Sequence, residues 1–221
     1  MTDRPILFSG PMIRALLDGR KTQTRRLLKP QPKVLKNGSW YRPFPQDPAN
    51  WQYALGGIIH GYARVRIVEG DRLWVRETWS HTGDHVFSIS EARRCPFGYP
   101  IYQADDNPEF PHAKFWPSIH MPREFSRLTL TVTDVRVERL RRITEKDAIA
   151  EGAELDPISS SMVTGGPMIR VGAGVYLSPV AWYHRLWDEI NGAGAWEKDP
   201  WVVAYTFTVQ RGNIDQIARA A

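Results

Sequence analysis

The chain's 221 residues carry a net charge of +5, with 42% hydrophobic and 24% charged residues, a composition ordinary for a globular protein large enough to need no staples. A single cysteine, Cys95, excludes a disulfide within the chain, and no stretch approaches the roughly 20 apolar residues of a membrane span. Residues 1–9 lack a signal-peptide layout, so the expected location is cytoplasmic with no membrane partner, and the charge mildly favours an anionic partner such as a nucleotide or nucleic acid.

Ile6 to Phe8 reads as a short strand. Ser9-Gly10-Pro11 then starts a helix whose Met12, Ile13, Leu16 and Leu17 share one face, and Gly19 suits its C-terminal cap. Gln23 to Leu28 reads as a strand. From Lys29 to about Tyr62, Pro30, Pro32, Pro43, Pro45 and Pro48 predict a long ordered loop with at most a small hairpin. Ala63 to Val68 and Arg72 to Thr78 read as strands around a Glu69-Gly70-Asp71 turn, and a second irregular stretch runs from Trp79 to about Pro122. Arg127 to Leu140 is the clearest strand. Its apolar parity slips near Thr133-Asp134, which predicts a bulge or bend.

Ile143 to Gly152 reads as a short helix with Thr144 and Asp147 as a capping box. A Gly/Ser-rich insertion follows, from Ala153 to Leu177. Ser178 and Pro179 start a helix to about Asn191, with Trp182, Tyr183, Leu186, Trp187 and Ile190 in one apolar stripe. Trp201 to Val209 is a final strand, and Gly212 to Ala221 a loose tail or small docked helix. The pattern predicts an α+β fold: a small mixed β-barrel with flanking helices. It predicts one domain over residues 1–211, with insertions near 29–62, 80–122 and 153–177 and a tail at 212–221.

The chemistry gathers in GRKTQTRR, Gly19 to Arg26. A free lysine titrates near 10.4, so bringing Lys21 to about 7 costs about 4 kcal/mol, supplied by burial and by Arg20, Arg25 and Arg26. A neutral Lys21 would take the proton of Thr24 and make it a nucleophile. Spacing alone favours the plainer reading of the same residues, a solvated basic turn beside an ordinary strand. Glu77, in WVRETW, reads as a buried carboxylate that needs a partner, and an arginine of the basic turn is one candidate. Glu151 ends a helix, the unfavourable end for a negative charge. His81 and His85 are four apart with Gly83 between them, which makes a poor metal site; neither metal nor cofactor is expected. Arg25, Arg26, Lys29, Lys33 and Lys36 near Trp40 and Tyr41 form an alternative, an RNA-binding surface.

The pattern G-x-K-x-x-T-x-R at Gly19, Lys21, Thr24 and Arg26, the Gly70-Asp71 turn, ITEKDAIAEG and PWVVAYTF together resemble the ASCH domain family of the PUA-like superfamily. The likeness covers Pro5 to about Phe207. It implies a PUA-like β-barrel with a cleft lined by the motif. One branch of that family consists of amidohydrolases acting on N4-acetylcytidine through a Lys, a Thr and a Glu, which match Lys21, Thr24 and Glu151. Other members are thought to bind RNA, and some to cleave it. The resemblance implies an amidohydrolase for N4-acylcytidine-type nucleosides, with an RNA-binding module or ribonuclease as the alternative. Arg26 would bind a base oxygen or the oxyanion, and Glu77, Trp79 and Phe8 would complete the substrate-binding set.

Overall fold

The computed structural model describes residues 2–31, 40–44, 47–55, 58–105, 109–110, 113–156, 167–172 and 175–218. The chain is α+β and divides into two compact units. The first comprises Gly19–Asp71 and Val132–Thr208; the second comprises Thr2–Asp18, Arg72–Thr131 and Val209–Ala221. Residues 209–218 are grouped with the second unit. Strand β9 spans Leu128–Arg139 and strand β12 spans Trp201–Arg211.

The main sheet has the hydrogen-bonded order β1-β6-β9-β12-β2. It is open, with β1 (Asp3–Leu7) and β2 (Gln23–Leu27) at its edges, where a closed barrel was expected. Alternation along a strand reports which face is buried; it carries no information on whether the two ends of a sheet meet.

In the first unit, β12 pairs antiparallel with β2, Val202 opposite Leu27 through Thr206 opposite Gln23. Trp201 through Tyr205 are buried without interruption, so this stretch of β12 is covered on both faces. Val203 and Tyr205 pack with Leu28, Trp51, Val65 and Val137. Val202 packs with Leu140, Ala148, Tyr183 and Trp187. Each large apolar side chain so buried contributes about 1.5–3 kcal/mol.

Helix α3 (Glu145–Ala150) carries the expected capping box: Thr144 accepts from the Asp147 amide, and Asp147 accepts from the Thr144 amide. Helix α4 (Pro179–Asn191) begins at Ser178, whose hydroxyl accepts from the Ala181 amide. Tyr183 and Trp187 face the core as expected, but Ile190 is exposed, because the helix outruns the surface it covers. The proline-rich stretch departs most from expectation. It forms a three-stranded antiparallel sheet of β3 (Trp40–Phe44), β4 (Asp47–Leu55) and β5 (Ile58–Arg64). Pro43 lies on edge strand β3 next to a register shift, and Pro48 lies outside both paired registers of β4, positions where a missing N–H breaks no ladder. The insertion at 153–177 contains a second hairpin, β10 (Ile169–Gly172) with β11 (Val175–Leu177).

In the second unit β1 runs parallel to β6 (Arg72–Arg76), and β6 runs antiparallel to β9. Helix α1 (Gly10–Leu17) buries Met12, Ile13, Ala15 and Leu16. The stretch expected to be irregular holds the hairpin β7 (Trp79–His81) with β8 (Pro100–Tyr102) and helix α2 (Ile89–Arg94). Along β9 the burial changes parity past Thr133 and Asp134, both exposed, where the slip was expected.

Candidate active site

The site belongs to the first unit. Gly19 takes φ 73°, a left-handed conformation that costs glycine least, and turns the chain toward β2. Lys21 then forms an antiparallel bridge with Glu151. The Thr22 amide donates to the Ala150 carbonyl at 2.9 Å, and the Thr22 carbonyl accepts from Phe207 at 2.9 Å. The motif is thereby stitched between the end of α3 and strand β12.

The side chains repeat this joining. Lys21 Nζ donates to the Glu151 carbonyl at 2.8 Å and to Glu151 Oε2 at 2.9 Å. Arg20 Nη1 donates to the Gly152 carbonyl at 2.8 Å. Two cations therefore satisfy carbonyls left open where α3 ends. They also offset the cost of a carboxylate at the negative end of the helix.

Arg25 is the hub. Its side chain has no exposed surface, and it reaches Glu138 at 2.8 Å, Glu151 at 3.1 Å and Asp147 at 3.4 Å. Arg136 adds Asp147 at 2.8 Å and Glu138 at 3.6 Å. Lys21, Arg25 and Arg136 thus face Glu138, Asp147 and Glu151, three formal charges of each sign. Such a cluster tolerates burial only while it stays complete. Sequence reasoning used Arg25 merely as a neighbour of Lys21. It missed Glu138, a half-buried acid at the far end of β9, and it assigned Asp147 only to helix capping. An arginine of β2 engaged in this way is also removed from any phosphate backbone, which corrects its place in the RNA reading. Lys33 and Lys36, and the side chains of Trp40 and Tyr41, lie outside the described residues.

Burial drives the Lys21 ammonium below its ordinary value. Glu151 pulls the other way, and Arg26 and Arg25 add to the lowering. Burial opposes ionisation of Asp147, but hydrogen bonds from Arg136 and Thr144 outweigh it and hold that carboxyl below its usual range. Burial, then the nearby Glu151 carboxylate, keeps the proton on the Tyr183 phenol.

Thr24 is 3% exposed and sits opposite Tyr205; Arg26 sits opposite Val203. Directly paired residues share a face, so Thr24 and Arg26 lie on the side of Val203 and Tyr205, while Gln23 and Arg25 lie on the other. Among the described residues the Thr24 hydroxyl is bonded to neither Lys21 nor Glu151. The Arg26 side chain reaches solvent although protein crowds it; burial lowers its pKa, and Glu151 is foremost among the groups that oppose this. The structure thus joins Lys21 to Glu151 directly and sets Thr24 three residues away on the following strand.

Glu77, Trp79 and Phe8 belong to the second unit. Glu77 is paired with Arg127, Oε1 to Nε and Oε2 to Nη2 both at 2.9 Å, rather than with an arginine of the basic turn. Trp79 is wholly buried against Trp116 and Phe125, at ring separations of 4.8 and 5.0 Å. Phe8 is 7% exposed. Both are buried in that unit.

No helix among the described residues is long and apolar enough to cross a membrane, and no three His, Cys, Asp or Glu side chains among them cluster to hold a metal. Comparison of the chain with protein-family models, curated proteins and solved structures returns no match.

Proposed function

We propose that the chain is a cytoplasmic amidohydrolase of the ASCH type, on a PUA-like architecture, removing acyl groups from the exocyclic amine of N4-acylcytidine-type nucleosides. The observation that carries this reading is the buried Lys21–Glu151 pair, whose lysine is held below its ordinary pKa next to a strand bearing Thr24. A buried, down-shifted lysine is the form of this side chain suited to general-base work at neutral pH.

Thr24 Oγ1 attacks the acyl carbonyl, and its proton passes to neutral Lys21 Nζ. Arg26 faces the developing oxyanion. As the tetrahedral intermediate collapses, the bond from carbonyl carbon to N4 breaks, and Lys21 returns the proton to N4, so the cytidine amine departs. Water then attacks the Thr24 ester, giving up one proton to Lys21, and that proton restores the Thr24 hydroxyl as the carboxylic acid leaves. Glu151 is a positioning residue: it anchors the lysine head by two contacts. Substrate binding must bring Nζ and Oγ1 within hydrogen-bond reach, as catalytic contacts often tighten only in the complex.

The test is ultraviolet-monitored hydrolysis of N4-acetylcytidine by the purified chain. Turnover that disappears in Lys21→Ala and Thr24→Ala is expected. An inert wild-type protein, or active variants, would sink the reading.

A further inference from the structure

The first unit contains a cavity of about 360 Å³ lined by Arg26, Lys29, Arg64 and Arg66, with Val203 and Tyr205 in its wall. No carboxylate lines it among the described residues. That separates Lys29, Arg64 and Arg66 from the other cationic clusters among the described residues. Arg25, Arg72, Arg123, Arg127 and Arg136 each meet a carboxylate within the ion-pair range. Arg26 feels the Glu151 carboxylate. Lys29, Arg64 and Arg66 around one cavity repel each other, and an anion bound between them relieves that repulsion.

The local chain explains the convergence. Arg64 and Arg66 flank buried Val65, whose amide donates to the Ala49 carbonyl at 2.8 Å, so both guanidinium groups project away from the core. Arg26 and Lys29 come from β2 and its continuation. The register of β2 with β12 places Thr24 opposite Tyr205 and Arg26 opposite Val203, so the proposed nucleophile lies on the cavity's side of the sheet.

We infer that the Lys29, Arg64 and Arg66 end of this cavity receives the phosphate of the substrate, with Arg26 left to the acyl end, and that the compound acted on is an N4-acylated cytidine nucleotide rather than the free nucleoside. The inference rests on the amidohydrolase reading for the acyl group, but the phosphate site stands on its own geometry. A neutral nucleoside has no use for Lys29, Arg64 and Arg66 together. The cavity volume lies at the small end of the range for small-molecule pockets, which suits one nucleotide rather than a strand. Arginine forks and a lysine match the oxygens of a phosphate monoester, and the Tyr205 ring supplies an apolar wall beside them.

The experiment compares N4-acetylcytidine with its 5′-monophosphate as substrates, and measures cytidine 5′-monophosphate binding by calorimetry at two salt concentrations. The expected result is a KM about tenfold or more lower for the monophosphate, with nucleotide binding that weakens as salt rises. The Arg64→Ala/Arg66→Ala double variant is expected to cut the preference for the monophosphate, and the affinity for cytidine monophosphate, by about tenfold or more. Equal KM values with no binding of the nucleotide would overturn the inference and leave the amidohydrolase reading intact. Salt-sensitive nucleotide binding without turnover of either compound would keep the phosphate site and remove that reading. An oligocytidylate that binds much more tightly than the mononucleotide would overturn the assignment in favour of an RNA strand.

Discussion

Lys21 Nζ lies 2.9 Å from Glu151 Oε2 across 130 residues of sequence, with only 2% and 3% of the two side chains exposed. The same two residues also pair through their backbones. A displaced lysine head would therefore lose both its charge partner and its anchor to the end of α3. The pair is at once a structural clasp and the centre of the proposed chemistry, and the predictions separate those roles.

Breaking the clasp from one side leaves a buried charge with too few partners. Lys21→Ala and Glu151→Gln are each expected to lower the unfolding free energy by about 3–5 kcal/mol in urea titrations. Replacing both together, as Lys21→Met with Glu151→Leu, should cost less than the sum of the two single changes. Additive losses would show that the two side chains are not coupled.

Thr24 separates activity from stability. Its hydroxyl is bonded to neither Lys21 nor Glu151, so Thr24→Ala should unfold within about 1 kcal/mol of the parent. Its turnover of N4-acylated substrate should nevertheless fall by about 10²-fold or more. Unchanged kcat would assign the nucleophile elsewhere.

The pH dependence follows from the direction of the Lys21 shift. Its ordinary value is 10.5, and burial lowers it in the folded chain. Between the folded value and 10.5 the unfolded chain binds more protons than the native one, so stability rises with pH across that window. The neutral fraction of Lys21 grows over the same pH range, so kcat/KM should climb with pH and level off below 10.5. Lys21→Met should flatten the alkaline limb of the stability profile, read from thermal midpoints at constant ionic strength.

Asp147 predicts the opposite limb. Its folded value is lowered from 3.8, so its contribution is present above 3.8 and is lost as pH falls below it. Asp147→Asn should be less stable than the parent at neutral pH, with the difference shrinking in acid. A gap that stayed constant down to about pH 2 would contradict the arginine-held carboxylate.

In the second unit, Arg127 bridges Glu77 at 2.9 Å and Asp105 at 2.7 Å and stacks on the Tyr102 ring at 3.9 Å. Burial raises the Glu77 pKa, and Arg127 is the group that counters it. Arg127→Leu should cost about 3–5 kcal/mol, and Arg127→Lys should recover only part, because an ammonium cannot fork to two carboxylates. Denaturant midpoints for the two variants read the difference directly.

Short-range order in this chain was legible before any coordinates. Helix α1, the capping box of Thr144 and Asp147, the start of α4 at Ser178, and the alternation along β9 and β12 depend on residues within a turn or two of one another. Local sterics and hydrogen bonds decide them, so the sequence by itself determined them. The residues Lys21, Thr24 and Glu151 were also nameable in advance, as an expectation carried by a family resemblance. Pairings between distant segments had no such signal. Hydrophobic alternation predicts a buried face but not an open sheet edge, and prolines that argue against a strand are harmless where no ladder bond is required. Only the tertiary structure decided that Glu77 meets Arg127, that Trp79 is interior, and that Arg25 is a buried hub rather than a surface cation. Those outcomes depend on which charges a fold places together once water is excluded, and residues more than a hundred positions apart carry no local trace of that.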